Sequence, residues 1–390
     1  MATTDVLVVG GGAIGLAVAW RCAQRGLGVV LCERDELGSG ATHVAAGMLG
    51  PIAEAGFGEA AGRLLELGLR SAELWPAFAA ELAAASGTRS RLRCDGTLIV
   101  ARDPGEAAGL ERELAFRAEL GLEITRLRPS EARRLEPALA PTIRLAALVP
   151  SEQTVDPRWV VDALAKAARA AGADLREHSP VERFLGEPPV GRDPASTRLD
   201  PATPPRALPE RVTGALLRSG ETIHAARVVL AAGAWSGGLS DVAVRPVKGQ
   251  IMRLRDPAGP GLIARVIRFD GGYLVPRGDG GYVLGATVEE RGFDRTVTAG
   301  GLYQLFRDAS ELVPGVLELE VCELAAGLRP GTPDNLPLIG RDTRDGLIRA
   351  TGHHRNGILL TPVTAELVVA ALTDAPGEPA SPVAEEALAR

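Results

Sequence analysis

The chain opens on a short apolar run, residues 5–9 (DVLVV), that ends in glycines and gives way to Ile14, Ala17, Val18, Cys22 and Ala23 at helical spacing. Gly26 and Gly28 stop that segment, and a second apolar run, 29–32, delivers Glu33. The pattern predicts strand, tight turn, helix, strand. Residues 59–85 carry Leu64, Leu65, Leu67, Leu69, Leu74 and Trp75 at amphipathic spacing, which predicts helix with a break at Pro76. Residues 96–101 read as strand, 106–120 as helix and 130–135 as a short capped turn. Asp156-Pro157 joins a good N-cap to a residue suited to the first helical turn and predicts a helix to about residue 171. Strands are predicted at 173–178, 181–185, 212–217 and 227–231. From 244 to 285 short apolar runs alternate with turns such as Asp279-Gly280-Gly281, an antiparallel signature. A helix at 302–312, strands at 319–327 and 347–350, and a last helix within 351–372 complete the series. Residues 186–211 break it: Pro and charge dominate without a period, which predicts a mobile surface excursion with no chemistry.

The opening unit carries chemistry as well as structure. In the spacing Gly10, Gly12, Gly15 the first glycine lets the chain turn sharply and the second bares the backbone where a pyrophosphate approaches. The third lets helix and strand pack closely. The helix N-terminus then offers free N–H groups and a positive dipole end. Glu33, 18 residues past Gly15, stands about where a carboxylate accepts both hydroxyls of an adenosine ribose and repels a 2′-phosphate, which disfavours NADP. The unit predicts a dinucleotide site and does not choose between FAD and NAD. The run 38–51 (GSGATHVAAGMLGP) is too rich in glycine for a regular helix. It suits a segment lying flat against an extended ligand or an ordinary loop.

Composition narrows the classes. A chain of 390 residues with 46% hydrophobic content suggests two domains around real cores. A net charge of −6 argues against nucleic acid, which needs a basic face. No apolar run approaches the ~18 residues of a membrane span, and the first strand begins too early for a leader to precede it, so a cytoplasmic protein is expected. Cys22, Cys32, Cys94 and Cys322 are scattered, which supports neither a disulfide framework nor a metal site. Lys166 and Lys248 are the only lysines, so a single Arg is weak evidence of function.

Six stretches together carry a family likeness: VVGGGAIGLAVAW, SGATHVAAGMLGP, AAGAWS, RPVKGQ, GLRPGTPDNLPLIG and GHHRNGILLTPVTAELV. The chain resembles the D-amino-acid oxidase superfamily of flavoproteins, and most nearly the glycine oxidases of the thiazole branch of thiamine biosynthesis. The likeness spans nearly the whole chain apart from 186–211. It implies an α/β fold, α+β overall, in which 1–84, 145–240 and 323–390 form a Rossmann-like FAD-binding domain. Residues 85–144 and 241–322 then form a discontinuous substrate domain on a mixed or antiparallel sheet. It also implies non-covalent FAD, because no cysteine occupies the C-terminal position used by monomeric sarcosine oxidases.

The residues implied to hold FAD are Gly10, Gly12, Ala13, Ile14, Gly15, Glu33 and Arg34, then Thr42, Ala46, Gly47 and Met48, then Val181, Ala232, Gly233 and Trp235. His354, Arg355, Asn356, Gly357 and Ile358 complete the set, with the start of the last helix facing the flavin edge where negative charge gathers on reduction. Arg329, extended because Pro330 follows it, is implied to grip the substrate carboxylate with Tyr273, and a planar guanidinium suits that pairing. Arg355 is the implied active-site arginine beside flavin and substrate, and Met48 lines the pocket. No metal is implied. His354, where an aromatic ring is common, and the small Gly271 and Val288 near the pocket depart from the family pattern and leave substrate size open.

The implied activity is oxidative deamination of glycine, with sarcosine and small D-amino acids as further candidates, giving imine or glyoxylate, ammonia and hydrogen peroxide. Its partners would be a small amino-acid substrate and oxygen, without nucleic acid or a membrane segment, in a homotetramer. Alternatives are a dehydrogenase of D-amino acids or sarcosine passing electrons to a membrane quinone, and a flavin subunit of a heteromeric amine oxidase.

Overall fold

A computed structural model describes residues 3–56, 58–187 and 209–373; most of the Pro-rich excursion, 188–208, lies outside them. Two eight-stranded sheets organise the chain. In the first, Thr3–Val9 pairs in parallel with Thr222–Leu230 on one side and Val29–Cys32 on the other, and Asp174–Arg176 extends the sheet beyond Val29–Cys32. Leu347–Thr351 lies parallel to Thr222–Leu230, and Leu338–Arg341 closes that edge antiparallel. The expected strand–helix–strand opening is present, with its helix at Ala13–Ala23.

The unbroken apolar run of the first strand is explained by burial on both faces. Val6 and Val8 pack into a core with the helices Ala13–Ala23, Glu59–Ser86, Pro157–Ala170 and Thr361–Thr373. Leu7 and Val9 face the opposite way, onto Phe184, Val212, Ala215 and Leu217 of the hairpin Val181–Glu187 and Arg211–Leu217. The third glycine works as its spacing predicts: a Cβ on Gly15 would overlap the Gly10 carbonyl oxygen, so helix and turn meet only because it is absent.

The second sheet is mixed, ordered Glu320–Gly331, Arg245–Arg255, Gly281–Gly285, Gly272–Pro276, Val266–Phe269, Thr97–Ala101, Leu145–Val149, Thr125–Leu127. All its pairings are antiparallel except Val266–Phe269 with Thr97–Ala101. One face carries Leu98, Met252, Ile267, Leu274 and Leu284 against the helix Ala299–Leu312. The other carries Ile251, Val266, Tyr273 and Val283 against Val44 and Ala46, and so turns toward the first sheet.

Two expectations shift. The crossings between sheets, expected near 145 and 323, fall after 149 and 331, because Leu145–Val149 pairs along its whole length with Thr97–Ala101 and Glu320–Gly331 with Arg245–Arg255. The helix Glu59–Ser86 also runs unbroken through Pro76. Pro76 lies on the exposed side, where water can satisfy the carbonyl it leaves free, while Trp75, Phe78, Ala79 and Leu82 are buried on either side of it.

Candidate active site

The carboxyl ends of the first-sheet strands meet the inner face of the second sheet, and a cavity of about 460 Å³ lies between them. Open parallel sheets bind ligands at this place, where neighbouring strands lead their connections in opposite directions. The strand ends supply Gly10, Glu33, Ala231–Gly233 and Thr351 to the lining.

On the first-sheet side Gly10, with φ +113°, would bring a Cβ into the Ala231 carbonyl, so only glycine fits. The helix Ala13–Ala23 starts at Gly12 with no side-chain cap, which leaves first-turn N–H groups for an anion. Ala13 N–H donates to Thr42 Oγ1 at 3.2 Å, tying that turn to the small-residue segment. The Glu33 carboxylate accepts Gly11 N–H at 2.6 Å and Asp35 N–H at 3.0 Å, one on each oxygen, which fixes it at the rim. Arg34 stacks on the Trp235 ring with its guanidinium carbon 3.5 Å from the centroid. Val181, Ala232 and Gly233 line the same side.

The small-residue segment resolves into the helix Ala41–Val44 and the strand Met48–Leu49, which pairs with Gln153–Thr154. Ala46, Gly47 and Met48 line the cavity, and Gly47 at φ +76° brings the chain against the Val155 carbonyl where no Cβ could fit. Of the two readings of residues 38–51, the one that lays them along a ligand space matches this path.

On the second-sheet side, alternation sets the lining. Ile251 opposes Gly285, Gly285 opposes Tyr273, and Tyr273 opposes Arg268, so these four share the inward face. Arg329 and Gly249 fall on that face too, and the missing Cβ of Gly249 makes room for the Arg329 guanidinium. Arg329 Nη1 donates to the carbonyls of Thr287 at 3.1 Å and Lys248 at 3.3 Å. Tyr273 is buried, which pushes its hydroxyl pKa up and keeps it a neutral donor, although Arg329 and Arg355 pull the other way. Arg355 donates to Glu54 Oε1 at 3.2 Å.

The last helix, Thr361–Thr373, is preceded by a turn in which Leu360 N–H already bonds Asn356 O at 2.8 Å, so helical bonding starts beside the cavity. His354, Arg355, Asn356, Gly357 and Ile358 all line it. Burial, reinforced by Arg329, Arg355 and Arg245, holds His354 down to about 4, so it is neutral at neutral pH.

The structure thus brings the expected residues to one cavity, with Gly15 one layer behind as a packing glycine. Gly271 and Val288 are not among the lining residues, and Val288 is 62% exposed, so neither sets the size of this space. Sequence reasoning missed Gly249, Glu54, Thr97, Glu152 and Arg268, all of which line it. The hairpin turn Asp270-Gly271 was the available signal for Arg268, since a two-residue turn sets Phe269 opposite Gly272 and hence Arg268 opposite Tyr273.

The residues present fit FAD. A cradle that any Cβ would fill, open N–H groups at a helix start and a fixed carboxylate at Glu33 match its diphosphate and ribose, and the cavity continues to Tyr273 and Arg329. Comparison with known proteins agrees. The glycine oxidase of Geobacillus kaustophilus is 36% identical over 93% of this chain and 91% of its own length. A bifunctional ThiO/ThiG protein of Trichormus variabilis is 31% identical over 97% of this chain and 54% of its own. The crystal structure of glycine oxidase from Geobacillus kaustophilus superposes with a TM-score of 0.83 and 34% identity over 95% of each chain. Residues 5–371 match the family described as FAD dependent oxidoreductase, and a chain with this cradle, this carboxylate and a match of that extent belongs to that family.

Proposed function

We propose that the protein catalyses the FAD-dependent oxidative deamination of glycine with oxygen as acceptor, in the supply of thiazole for thiamine. The observation that carries this is the pairing of half-buried Arg329 with buried Tyr273 on one sheet face, joined by a single cavity to the Gly10–Glu33 cradle. Gly10, Gly12, Ala13 and Ile14 would hold the diphosphate of FAD, Glu33 its ribose, and the turn around Asn356–Ile358 the polar edge of its ring. When bound, FAD would supply the electron chemistry, acceptance of the α-hydrogen as hydride and two-electron reduction of oxygen to hydrogen peroxide. Arg329 and Tyr273 bind the carboxylate and orient the α-carbon, and orientation of this kind accounts for much of the rate in such reactions. Glu54 restrains Arg355 at the mouth, while Met48, Val44 and Ile251 exclude water. The neutral amine reacts, and its imine hydrolyses to glyoxylate and ammonia.

The segments of the first sheet with their helices form the FAD-binding domain and those of the second the substrate domain. FAD is held without a covalent bond; colour released on acid precipitation tests that. No helix among the described residues is long and apolar enough to cross a membrane. The enzyme is cytoplasmic and homotetrameric on this reading, and sedimentation checks the assembly. The deciding experiment adds glycine anaerobically to the yellow protein and then admits air. Bleaching followed by one peroxide per glycine supports oxidation by oxygen; bleaching without peroxide on aeration overturns the oxygen step, and no bleaching overturns glycine as substrate.

A further inference from the structure

The stretch RPVKGQ, residues 245–250, gives the cavity wall Gly249 and holds two polar side chains outside it: Lys248 and Gln250 are buried, and neither lines the cavity. Alternation turns both to the reverse face of the sheet, toward the helix Ala299–Leu312. Their partner there is the segment that follows Gly281–Gly285. Ile251 opposes Gly285 but Lys248 opposes Glu289, so three residues, 286–288, face two, 249 and 250. An extra residue of this kind is a β-bulge, which re-aims the groups it carries. Here the Thr287 carbonyl accepts Arg329 Nη1 at 3.1 Å. The Gln250 N–H, which a regular ladder would pair with a carbonyl, donates instead to Thr287 Oγ1 at 2.9 Å.

Glu289 fixes that exchange. The Thr287 hydroxyl donates to Glu289 Oε1 at 2.6 Å, and Gln250 Nε2 donates to the same oxygen at 2.7 Å. Lys248 Nζ stands 3.4 Å from Glu289 Oε2 and 3.3 Å from Asp294 Oδ2. Backbone bonds close the bulge, Lys248 N–H to Glu289 O at 2.9 Å and Glu289 N–H to Lys248 O at 3.0 Å. Lys248 O is also the second acceptor of Arg329 Nη1, at 3.3 Å. Both carbonyls that hold the guanidinium thus belong to residues whose side chains meet on Glu289. Burial by itself would raise the Glu289 carboxyl; the bonds from Thr287 and Gln250 and the Lys248 charge bring it below its ordinary value, so it is an ionised acceptor at neutral pH. We infer that Glu289 and Thr287 are positioning residues for the reaction, which set the angle at which Arg329 meets the substrate carboxylate without lining the cavity themselves. This rests on the reading in which Arg329 anchors that carboxylate. With Nη1 tied to two carbonyls, the fork keeps its angle only while both stay in place.

Binding is read first, without turnover, from the flavin absorbance of the FAD-loaded protein titrated with acetate, a carboxylate with no amine to oxidise. Thr287→Val, which keeps the shape and removes the hydroxyl, should weaken acetate about tenfold or more. Thr287→Ser should stay within about threefold of wild type. Glu289→Ala should match Thr287→Val, and Glu289→Gln should stay near Thr287→Ser: both remove the charge facing Lys248, and only alanine removes the acceptor. Glycine KM should follow the same order with kcat within about threefold. A lost carboxylate contact costs binding, whereas a merely loosened fold lowers the active fraction and leaves KM alone. A folded, FAD-containing Thr287→Val that binds acetate within twofold of wild type overturns the assignment, as does Thr287→Ser weakened as much as Thr287→Val. If Thr287→Val does not fold, the glutamate pair decides: equal acetate binding by Glu289→Ala and Glu289→Gln overturns the assignment, and the expected order upholds it. Should glycine fail to bleach the wild type while the acetate order holds, the glycine reading falls and the positioning role stands. Bleaching by glycine with a flat acetate series removes the positioning role alone.

Discussion

Replacing Gly249 with alanine perturbs the substrate end of the cavity without removing a charge. The backbone there has a φ that any residue adopts, so the effect is steric, and the added Cβ would overlap the Arg329 guanidinium. That guanidinium is held against the carbonyls of Lys248 and Thr287 in the cavity wall, so an added Cβ must move it off them. A displaced fork loses one of the hydrogen bonds it aims at a carboxylate, and a bond to a charged group contributes about 1.5–3 kcal/mol. Glycine KM should therefore rise roughly 10- to 150-fold, with FAD content unchanged. Peroxide release across a glycine titration measures the shift, and visible absorbance and a thermal melt confirm a loaded, folded protein. A folded, FAD-containing variant whose glycine KM stays within threefold of wild type would refute the claim that Arg329 in this position is the carboxylate anchor.

Two further outcomes follow from the same geometry. Glu33→Ala removes the carboxylate held by Gly11 and Asp35, and FAD should dissociate about tenfold more readily or worse, read by fluorescence titration of the apoprotein; an unchanged dissociation constant contradicts its ribose role. Glu152 has its folded pKa raised from 4.5 to about 7, so the unfolded chain ionises first and stability falls as pH rises from about 4.5 to 7, then levels. Glu152→Gln lifts this penalty, about 3 kcal/mol when complete, so its advantage over wild type in chemical denaturation should grow from pH 5 to pH 8; an advantage equal at both pH values rejects the buried ionisation.

Local chemistry made the cradle legible. A positive φ at Gly10, close packing at Gly15 and a carboxylate at the end of the second strand are demands that single residues meet, so their spacing reveals them. Arg329 was legible for a similar reason, as an arginine held extended before Pro330 inside a distinctive run. Pro76 misled because a helix break depends on what surrounds the proline, and here a buried flank and a solvated carbonyl let the helix continue. Val288 misled because it neighbours the site in sequence while pointing outward.

The sequence by itself determined the alternation and glycine placement that build the first strand–helix–strand unit, and the residue types able to hold a dinucleotide and a carboxylate. These are properties of neighbours within a few residues, where period and backbone freedom act directly. Only the tertiary structure decided which distant residues share a wall. Arg268, Tyr273, Gly249 and Arg329 share one face because five neighbouring strands lie in register, and Glu152 reaches the cavity because its oxygen is tied to a residue 99 positions away. Strand order and register come from burying whole faces against each other, a sum over many side chains that no single stretch contains.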